Sequence, residues 1–182
     1  MKKISILVFS VLFSVFYTQE IGLLKKNLIG VQYNILGLGI YNESLISEKL
    51  VLRSYISMNL VSIWSGIVYP ETGYVILPSV SVAPRYYYNI AKRKDKNLNV
   101  RNNAANFLDV SLVYNPGWLS MSNYDVKVND AVFLIPHWGL RRNFGKNFNY
   151  EFYVGMGIGK SLVKGSDIAA IPSLGFKIGY DF

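Results

Sequence analysis

Strict alternation of apolar and polar residues is the feature that most constrains this chain. Residues 173–182 read SLGFKIGYDF, and every second side chain in this segment is apolar: Leu174, Phe176, Ile178, Tyr180 and Phe182. The residues between them are small or charged. Because a period of two places alternate side chains on opposite faces of a β-strand, this segment is predicted to be an amphipathic strand.

The same alternation recurs along the chain and predicts an all-β fold. The predicted strands lie at 28–41, 49–64, 74–90, 106–115, 131–143, 148–162 and 171–182. In the first of them the apolar positions change from odd numbers at Ile29 to even numbers at Leu36, which we interpret as a β-bulge. These seven strands are the ones that the alternation marks clearly.

Composition and glycine placement indicate which face of these strands points inward. Only 16% of the residues are charged, against about 25% in a typical soluble domain. No internal run approaches the roughly 20 apolar residues that a spanning helix needs. The polar faces of the last two strands carry glycines, namely Gly155, Gly157, Gly159, Gly175 and Gly179. Small residues suit a crowded face such as the interior of a narrow barrel, so the apolar face is predicted to point outward.

Aromatic residues on the apolar faces gather near the strand ends. One group falls at one end when the strands are laid up and down: Tyr86, Tyr88, Trp138, Phe144, Tyr150, Phe152, Tyr180 and Phe182. Tyr74 and Tyr114 fall toward the other end. This arrangement predicts two aromatic belts flanking an aliphatic band, as at the two interfaces of a membrane.

The beginning of the sequence has the layout of a secretory signal peptide. Two lysines precede a mainly apolar run from Ile4 to Tyr17, and polar residues follow. We predict a signal peptide at 1–18, with cleavage near Thr18 or Gln19, and a barrel domain at 19–182. Retention as a membrane anchor is the alternative, although the run is short. The chain has no cysteine, which excludes disulfides, cysteine metal sites and an acylated amino-terminal cysteine.

Together, the signal peptide, the alternating repeats and the final FKIGYDF resemble the small eight-stranded β-barrels of the Gram-negative outer membrane. The resemblance covers residues 20–182. It implies an antiparallel up-and-down transmembrane barrel in outer-membrane lipid, with both termini on the periplasmic side. Because that placement needs an even number of strands, we predict eight antiparallel strands, with the eighth hidden near 20–35 or within 49–73. It also implies that Phe182, with Tyr180 two positions earlier, forms the signal read by the barrel assembly machinery during insertion.

Laying the strands up and down predicts a layer of charges inside the barrel. Six polar-face charges fall at one level near the periplasmic mouth: Arg53, Arg85, Asp109, Arg141, Glu151 and Asp181. Buried charges need partners, so we expect interlocked salt bridges with Tyr55, Tyr87 and Tyr153 packed nearby. Because eight strands leave room only for side chains, no open pore is expected.

Two connections are candidate contact surfaces. The loop after the third predicted strand carries Lys92, Arg93, Lys94 and Lys96, which suits an anionic lipid head group or another polyanion, although a solvated turn is the simpler interpretation. The longest predicted surface loop carries Trp118 and Tyr124 as candidate ligand contacts. Export and the lack of a basic patch with stacking aromatics argue against nucleic acid as a partner.

Catalytic motifs do not stand out in the sequence. The single histidine, His137, falls on a polar strand face without Asp or Glu at a metal-ligand spacing, so an interior packing or hydrogen-bonding role is expected. No catalytic, cofactor or metal site is predicted. The expected function is a structural or surface-binding role in the outer membrane. The alternatives are a secreted lipocalin-like barrel for a small apolar ligand and a membrane-embedded lipid-modifying enzyme.

Overall fold

The computed structural model describes residues 22–66 and 69–182, and this part of the chain is almost entirely β-structure. Its strands are β1 Asn27–Asn34, β2 Gly37–Ser47, β3 Leu50–Gly66, β4 Tyr69–Tyr86, β5 Asn106–Asn115, β6 Met121–Ser122, β7 Ala131–Phe144, β8 Phe148–Ser161 and β9 Ala169–Asp181. A short helix, α1 Ile90–Asp95, and 3-10 turns at Arg101–Asn103 and Gly117–Leu119 complete it. The signal peptide predicted for 1–18 lies outside the described residues.

Eight of these strands close into an antiparallel barrel. Round the barrel they follow the order β1, β2, β3, β4, β5, β7, β8, β9. The ring is closed where β9 pairs with β1, with Gly30 opposite Asp181 and Asn34 opposite Lys177. The two-residue β6 only extends the edge of β4 beyond the barrel. The predicted eight-stranded, all-β, antiparallel up-and-down barrel is confirmed.

The alternation of side chains separates a polar interior from an apolar outer surface. On β9, Leu174, Phe176 and Ile178 are exposed on the outside, whereas Asp181 is buried inside. Glycines relieve crowding within: a Cβ on Gly175 would stand 2.2 Å from the Tyr153 ring. The apolar face therefore points outward, as the glycine placement predicted.

The first predicted strand, 28–41, is wrong in detail because it contains two strands. The phase change that we interpreted as a bulge is a hairpin turn at Ile35 and Leu36, between β1 and β2. The Asn34 side chain accepts a hydrogen bond from the Leu36 backbone N–H at 2.8 Å and stabilises this turn. Because β1 and β2 are separate strands, the barrel has eight strands and not seven.

The predicted strand at 74–90 is also corrected at both ends. β4 begins earlier, at Tyr69, and ends at Tyr86. Residues 90–105, here called the plug segment, fold into α1 and a 3-10 turn instead of a simple solvated turn. Asn97, Asn102 and Asn103 adopt left-handed backbone conformations there, which asparagine tolerates better than most residues. No helix in the described ranges is long and apolar enough to cross a membrane.

Candidate functional site

A layer of polar side chains, here called the charge layer, crosses the barrel interior near the plug segment. Every barrel strand contributes one residue to it. The contributors in strand order are Gln32, Glu43, Arg53, Arg85, Asp109, Arg141, Glu151 and Asp181. All eight residues are buried, with no more than 5% of the surface of any of them exposed. The structure thus brings together all six charges singled out from the sequence.

Salt bridges interlock the members of this charge layer. Arg141 reaches Glu151 and Asp181 at 2.6 Å each. Arg53 on β3 reaches Glu151 on β8 at 3.3 Å, and these two strands lie on opposite sides of the ring. Arg85 approaches Asp109 at 2.8 Å and Glu151 at 3.2 Å. Ion pairs therefore span the interior and join its opposite walls.

Glu43 is a central member of the layer that was not predicted from the sequence. Its carboxylate lies 2.6 Å from Arg53 and 3.4 Å from Arg85. The predicted first strand stopped at residue 41, so Glu43 was left in a connection. Carrying the alternation through Gly39 and Tyr41, which both face inward, would have placed Glu43 on the interior face.

The plug segment lies across the barrel mouth beside the charge layer. The Asn103 amide donates to Glu43 on β2 at 2.8 Å, and the Asn102 carbonyl accepts from Arg141 on β7 at 2.8 Å. Because β2 and β7 stand on opposite sides of the ring, these contacts bridge the mouth. Ile90 and Ala105 pack into a fully buried apolar cluster at the same end. This end of the barrel is closed by protein.

Tyr87, one residue beyond β4, links the end of that strand to the charge layer. Its hydroxyl donates to the two oxygens of Glu43 at 3.0 and 2.9 Å. Burial, and then the adjacent Glu43 carboxylate, hold the pKa of Tyr87 well above its ordinary value. The hydroxyl therefore keeps the proton that it donates. Tyr55 and Tyr153 also line the interior beside the layer.

The four basic residues of the plug segment do not act as one cluster. Arg93 turns back on the segment itself and donates to the carbonyls of Ala104 and Asn99, both at 2.9 Å. Lys92, Lys94 and Lys96 remain exposed. The basic surface available to an outside partner therefore rests on the three lysines, whereas Arg93 stabilises the plug segment.

A cavity of about 200 Å³ occupies the other half of the interior, beyond the charge layer. It extends from Arg53 and Arg85 to Asn34 and Asn59, which lie near the β1–β2 turn. Three serines line this space on β3 and β4: Ser57, Ser79 and Ser81. This region is less densely filled than the charge layer, and apolar side chains such as Val113 and Ile135 line it beside the polar ones.

His137 lies at the boundary between the charge layer and the cavity, and it connects two side chains. Its Nδ1 is 2.9 Å from a carboxylate oxygen of Asp109, and its Nε2 is 2.9 Å from the Ser173 hydroxyl. The Tyr153 ring packs edge-on against the imidazole at 5.2 Å. This group could not be recognised from the sequence, because Asp109 and Ser173 are 28 and 36 residues away from His137.

The two loop residues proposed as surface contacts have different environments. Trp118 is 73% exposed and borders a shallow depression of about 520 Å³ with Lys127 and Asp130. Tyr124 is partly buried, and its hydroxyl donates to the Glu71 carbonyl at 3.0 Å. Trp118 is therefore free to meet a ligand, whereas Tyr124 holds the loop against β4.

The described residues contain no cluster of three or more histidine, aspartate or glutamate side chains arranged to hold a metal ion. Comparison of the chain with models of protein families, with curated proteins and with solved structures found no match.

Proposed function

We propose that this chain is an integral outer-membrane β-barrel protein with a structural or surface-binding role and no open pore. The observation that carries the proposal is the apolar outer surface. Exposed aliphatic side chains cover strands all round the ring, including Ile40 on β2, Ile56 on β3, Leu112 on β5, Ile158 on β8 and Leu174 on β9. Soluble monomers rarely expose an apolar surface of such extent, whereas hydrocarbon solvates it.

Aromatic contacts on the outer surface support a membrane interface near the plug end. Phe144 stacks on Phe148 at 5.5 Å, Phe148 meets Tyr180 at 5.3 Å, and Tyr180 meets Phe182 at 5.5 Å. The Trp138 indole N–H donates to the Tyr88 hydroxyl at 2.9 Å. Aromatic rings with polar tips favour the level of the lipid head groups.

The polar interior disfavours the lipocalin-like alternative. A carrier for a small apolar ligand needs a largely apolar cavity. Here Lys177 and His137 line the cavity together with serines and the buried arginines. Ala83, Val113 and Ile135 also line it, whereas many larger aliphatic side chains, such as Leu112 and Leu134, are exposed on the outer surface.

The proposed partners follow from the same arrangement. Outer-membrane lipid covers the outer surface, and the barrel assembly machinery reads Tyr180 and Phe182, which are both exposed. Lys92, Lys94 and Lys96 offer an exposed basic surface to a polyanion such as phosphorylated lipid. Trp118 is the proposed contact for a surface ligand.

Membrane fractionation combined with a heat-modifiability gel tests the proposal. The protein should stay in the membrane fraction after a salt wash and should migrate faster before boiling than after it. Recovery as a detergent-free soluble barrel would overturn the proposal. Conductance in planar bilayers tests the absence of an open pore, since the charge layer and plug segment should prevent reproducible ion-conducting steps. Steady steps would show that the interior is open.

A paired substitution tests whether lipid covers the outer surface. Leu174 lies near the middle of β9 and is 73% exposed, whereas Ile168 precedes the strand and is 64% exposed. In a bilayer, Leu174→Arg should lower the free energy of unfolding by about 2–4 kcal/mol and Ile168→Arg by about 0–1 kcal/mol. Urea titration in lipid vesicles measures both. Equal, near-zero effects would mean that water covers both positions.

A further inference from the structure

His137 lies between a carboxylate and a serine hydroxyl, and this arrangement indicates more than a structural role. We propose that Ser173, His137 and Asp109 form a nucleophilic centre that hydrolyses small esters inside the barrel cavity. The arrangement has the parts that an activated serine needs: a hydroxyl, a base within hydrogen-bond distance of it, and a third group that orients the base. Both heavy-atom distances are 2.9 Å.

The hydrogen-bond partners determine which nitrogen of His137 carries a hydrogen and which one accepts it. Asp109 is held by Arg85, whose Nε and guanidinium NH₂ approach one carboxylate oxygen at 2.9 and 2.8 Å. The other oxygen faces His137 Nδ1. An ionised carboxylate only accepts hydrogen bonds, so Nδ1 of the neutral imidazole carries the hydrogen. Nε2 is then the acceptor and receives the Ser173 hydroxyl proton.

The strand register builds the relay into the wall of the barrel. Asp109, His137, Gly155 and Ser173 are successive register partners across β5, β7, β8 and β9. Gly155 on β8 lies between His137 on β7 and Ser173 on β9, so the imidazole passes over it to reach the serine hydroxyl. A Cβ there would lie 2.7 Å from the His137 ring, so glycine keeps the path between base and hydroxyl open.

The chemical step is acyl transfer followed by hydrolysis. The Ser173 oxygen attacks the ester carbonyl carbon while its proton passes to His137 Nε2. The bond from the carbonyl carbon to the alkoxy oxygen breaks, the alcohol leaves with that proton, and an acyl-serine remains. A water molecule then gives a proton to Nε2 and attacks the acyl carbon, which releases the carboxylic acid and restores Ser173. Asp109 is a positioning residue that stabilises the imidazolium.

The cavity limits the substrate to a small, polar ester. Its volume of about 200 Å³ is below the roughly 300–1,000 Å³ of pockets for drug-sized ligands. Ser173, His137 and Lys177 line the same space. The Tyr153 ring lies between two of these side chains. Its centroid is 5.1 Å from the Lys177 ammonium and 5.2 Å from the His137 ring. A short acyl group with a polar or anionic alcohol portion fits this lining, whereas a lipid chain does not.

The test uses the full-length folded barrel in detergent micelles with 4-nitrophenyl acetate as the probe. Wild type should release nitrophenolate and gain one acetyl group, located on Ser173 by peptide mass spectrometry. Ser173→Ala should remove the adduct. His137→Gln should lower the acylation rate by about 10²–10⁴-fold, the range of general-base catalysis. Asp109→Asn should lower kcat with KM nearly unchanged, as expected for a residue that positions the base.

Matched variants separate the proposal from a general loss of structure. Ser79 lines the same cavity and donates to Asn115 on β5 at 2.7 Å, so Ser79→Ala should change the rate less than about twofold. Gly155→Ala should lower the rate with Ser173 still present. Each variant is compared only after its heat-modifiability shows a folded barrel. Absence of a Ser173 adduct in folded wild type, or equal rates in wild type and folded His137→Gln, would overturn the proposal and leave the membrane-barrel function untouched.

Discussion

The two halves of the barrel interior are built on the same strands but are filled in different ways. Near the plug end, charged side chains from seven strands and Gln32 from the eighth interlock in a layer that excludes solvent. Beyond it, serines and asparagines surround a cavity of about 200 Å³. The cavity half is lined by short side chains such as Ser57, Ser79 and Ser81, so side-chain length contributes to the difference in filling.

This difference suggests a division of roles within one barrel. Long arginine and glutamate side chains meet across the interior and fix the positions of opposite walls, for example Arg53 on β3 and Glu151 on β8. Short side chains in the other half leave room for a ligand beside His137 and Ser173. Stability is therefore expected to depend mainly on the charge layer, and reactivity on the cavity.

Arg141→Ala should have the largest effect on stability. Arg141 is fully buried, and its nitrogens bond to Glu151, Asp181, the Tyr41 hydroxyl and the Asn102 carbonyl at 2.6–2.8 Å. Removing one partner of a buried ion pair leaves uncompensated charge. We expect a loss of about 3–5 kcal/mol in the free energy of unfolding, measured by urea titration in vesicles.

Lys164→Ala is the control for Arg141→Ala. Lys164 is exposed in the β8–β9 loop, so its removal should change the unfolding free energy by no more than about 0.5 kcal/mol. Similar effects of the two substitutions would show that the charge layer does not hold the barrel together.

Asn103→Gly should have an intermediate effect, because it weakens the link between the plug segment and the charge layer. The Asn103 side chain donates to Glu43 at 2.8 Å and accepts from the Lys25 backbone N–H at 2.8 Å. Glycine tolerates the φ of +62° at this position, so the substitution isolates the lost hydrogen bonds. We expect a loss of about 1–3 kcal/mol and faster cleavage of the plug segment by protease.

Asn97→Gly provides the matched control, since Asn97 is exposed and has a similar φ of +53°. It should leave both the unfolding free energy and the cleavage rate nearly unchanged. If the two variants behave alike, the plug segment is held by its apolar cluster and not by its contact with Glu43.

Much of the barrel follows from sequence because alternation is a local property of each strand. The bounds of β5 and the inward position of Arg53, Arg85 and Arg141 required only counting along the polar face. The hairpin between β1 and β2 was harder to recognise. A turn of two apolar residues, Ile35 and Leu36, changes the phase by one position, as a bulge does, and the sequence lacks the glycine–asparagine pairs that usually mark tight turns.

The plug segment and the His137 contacts depend on distant parts of the chain and could not be predicted in the same way. Asn102 and Asn103 look like ordinary loop residues until Arg141 and Glu43 approach them from opposite walls. Likewise, Asp109 and Ser173 meet His137 only because the strand register aligns them. Sequence assigned these side chains to a face but did not provide the register between strands.

Among the substitutions inside the barrel, Lys177→Met should have the smallest effect, and it compares the two halves directly. Lys177 lines the cavity, and its ammonium lies over the rings of Tyr55 and Tyr153 at 4.2 and 5.1 Å. Arg53 also lies over the Tyr41 ring, at 4.1 Å, but it pairs with Glu43 at 2.6 Å as well.

The cost of burying the Lys177 ammonium offsets most of its attraction to the rings, worth about 0.5–2 kcal/mol. Lys177→Met should therefore change the unfolding free energy by less than about 1 kcal/mol, whereas Arg53→Met should cost about 3–5 kcal/mol. Urea titration of both variants under one lipid composition makes the comparison. A large loss for Lys177→Met would mean that its charge balances the carboxylates of the layer, so that the two halves form one electrostatic unit.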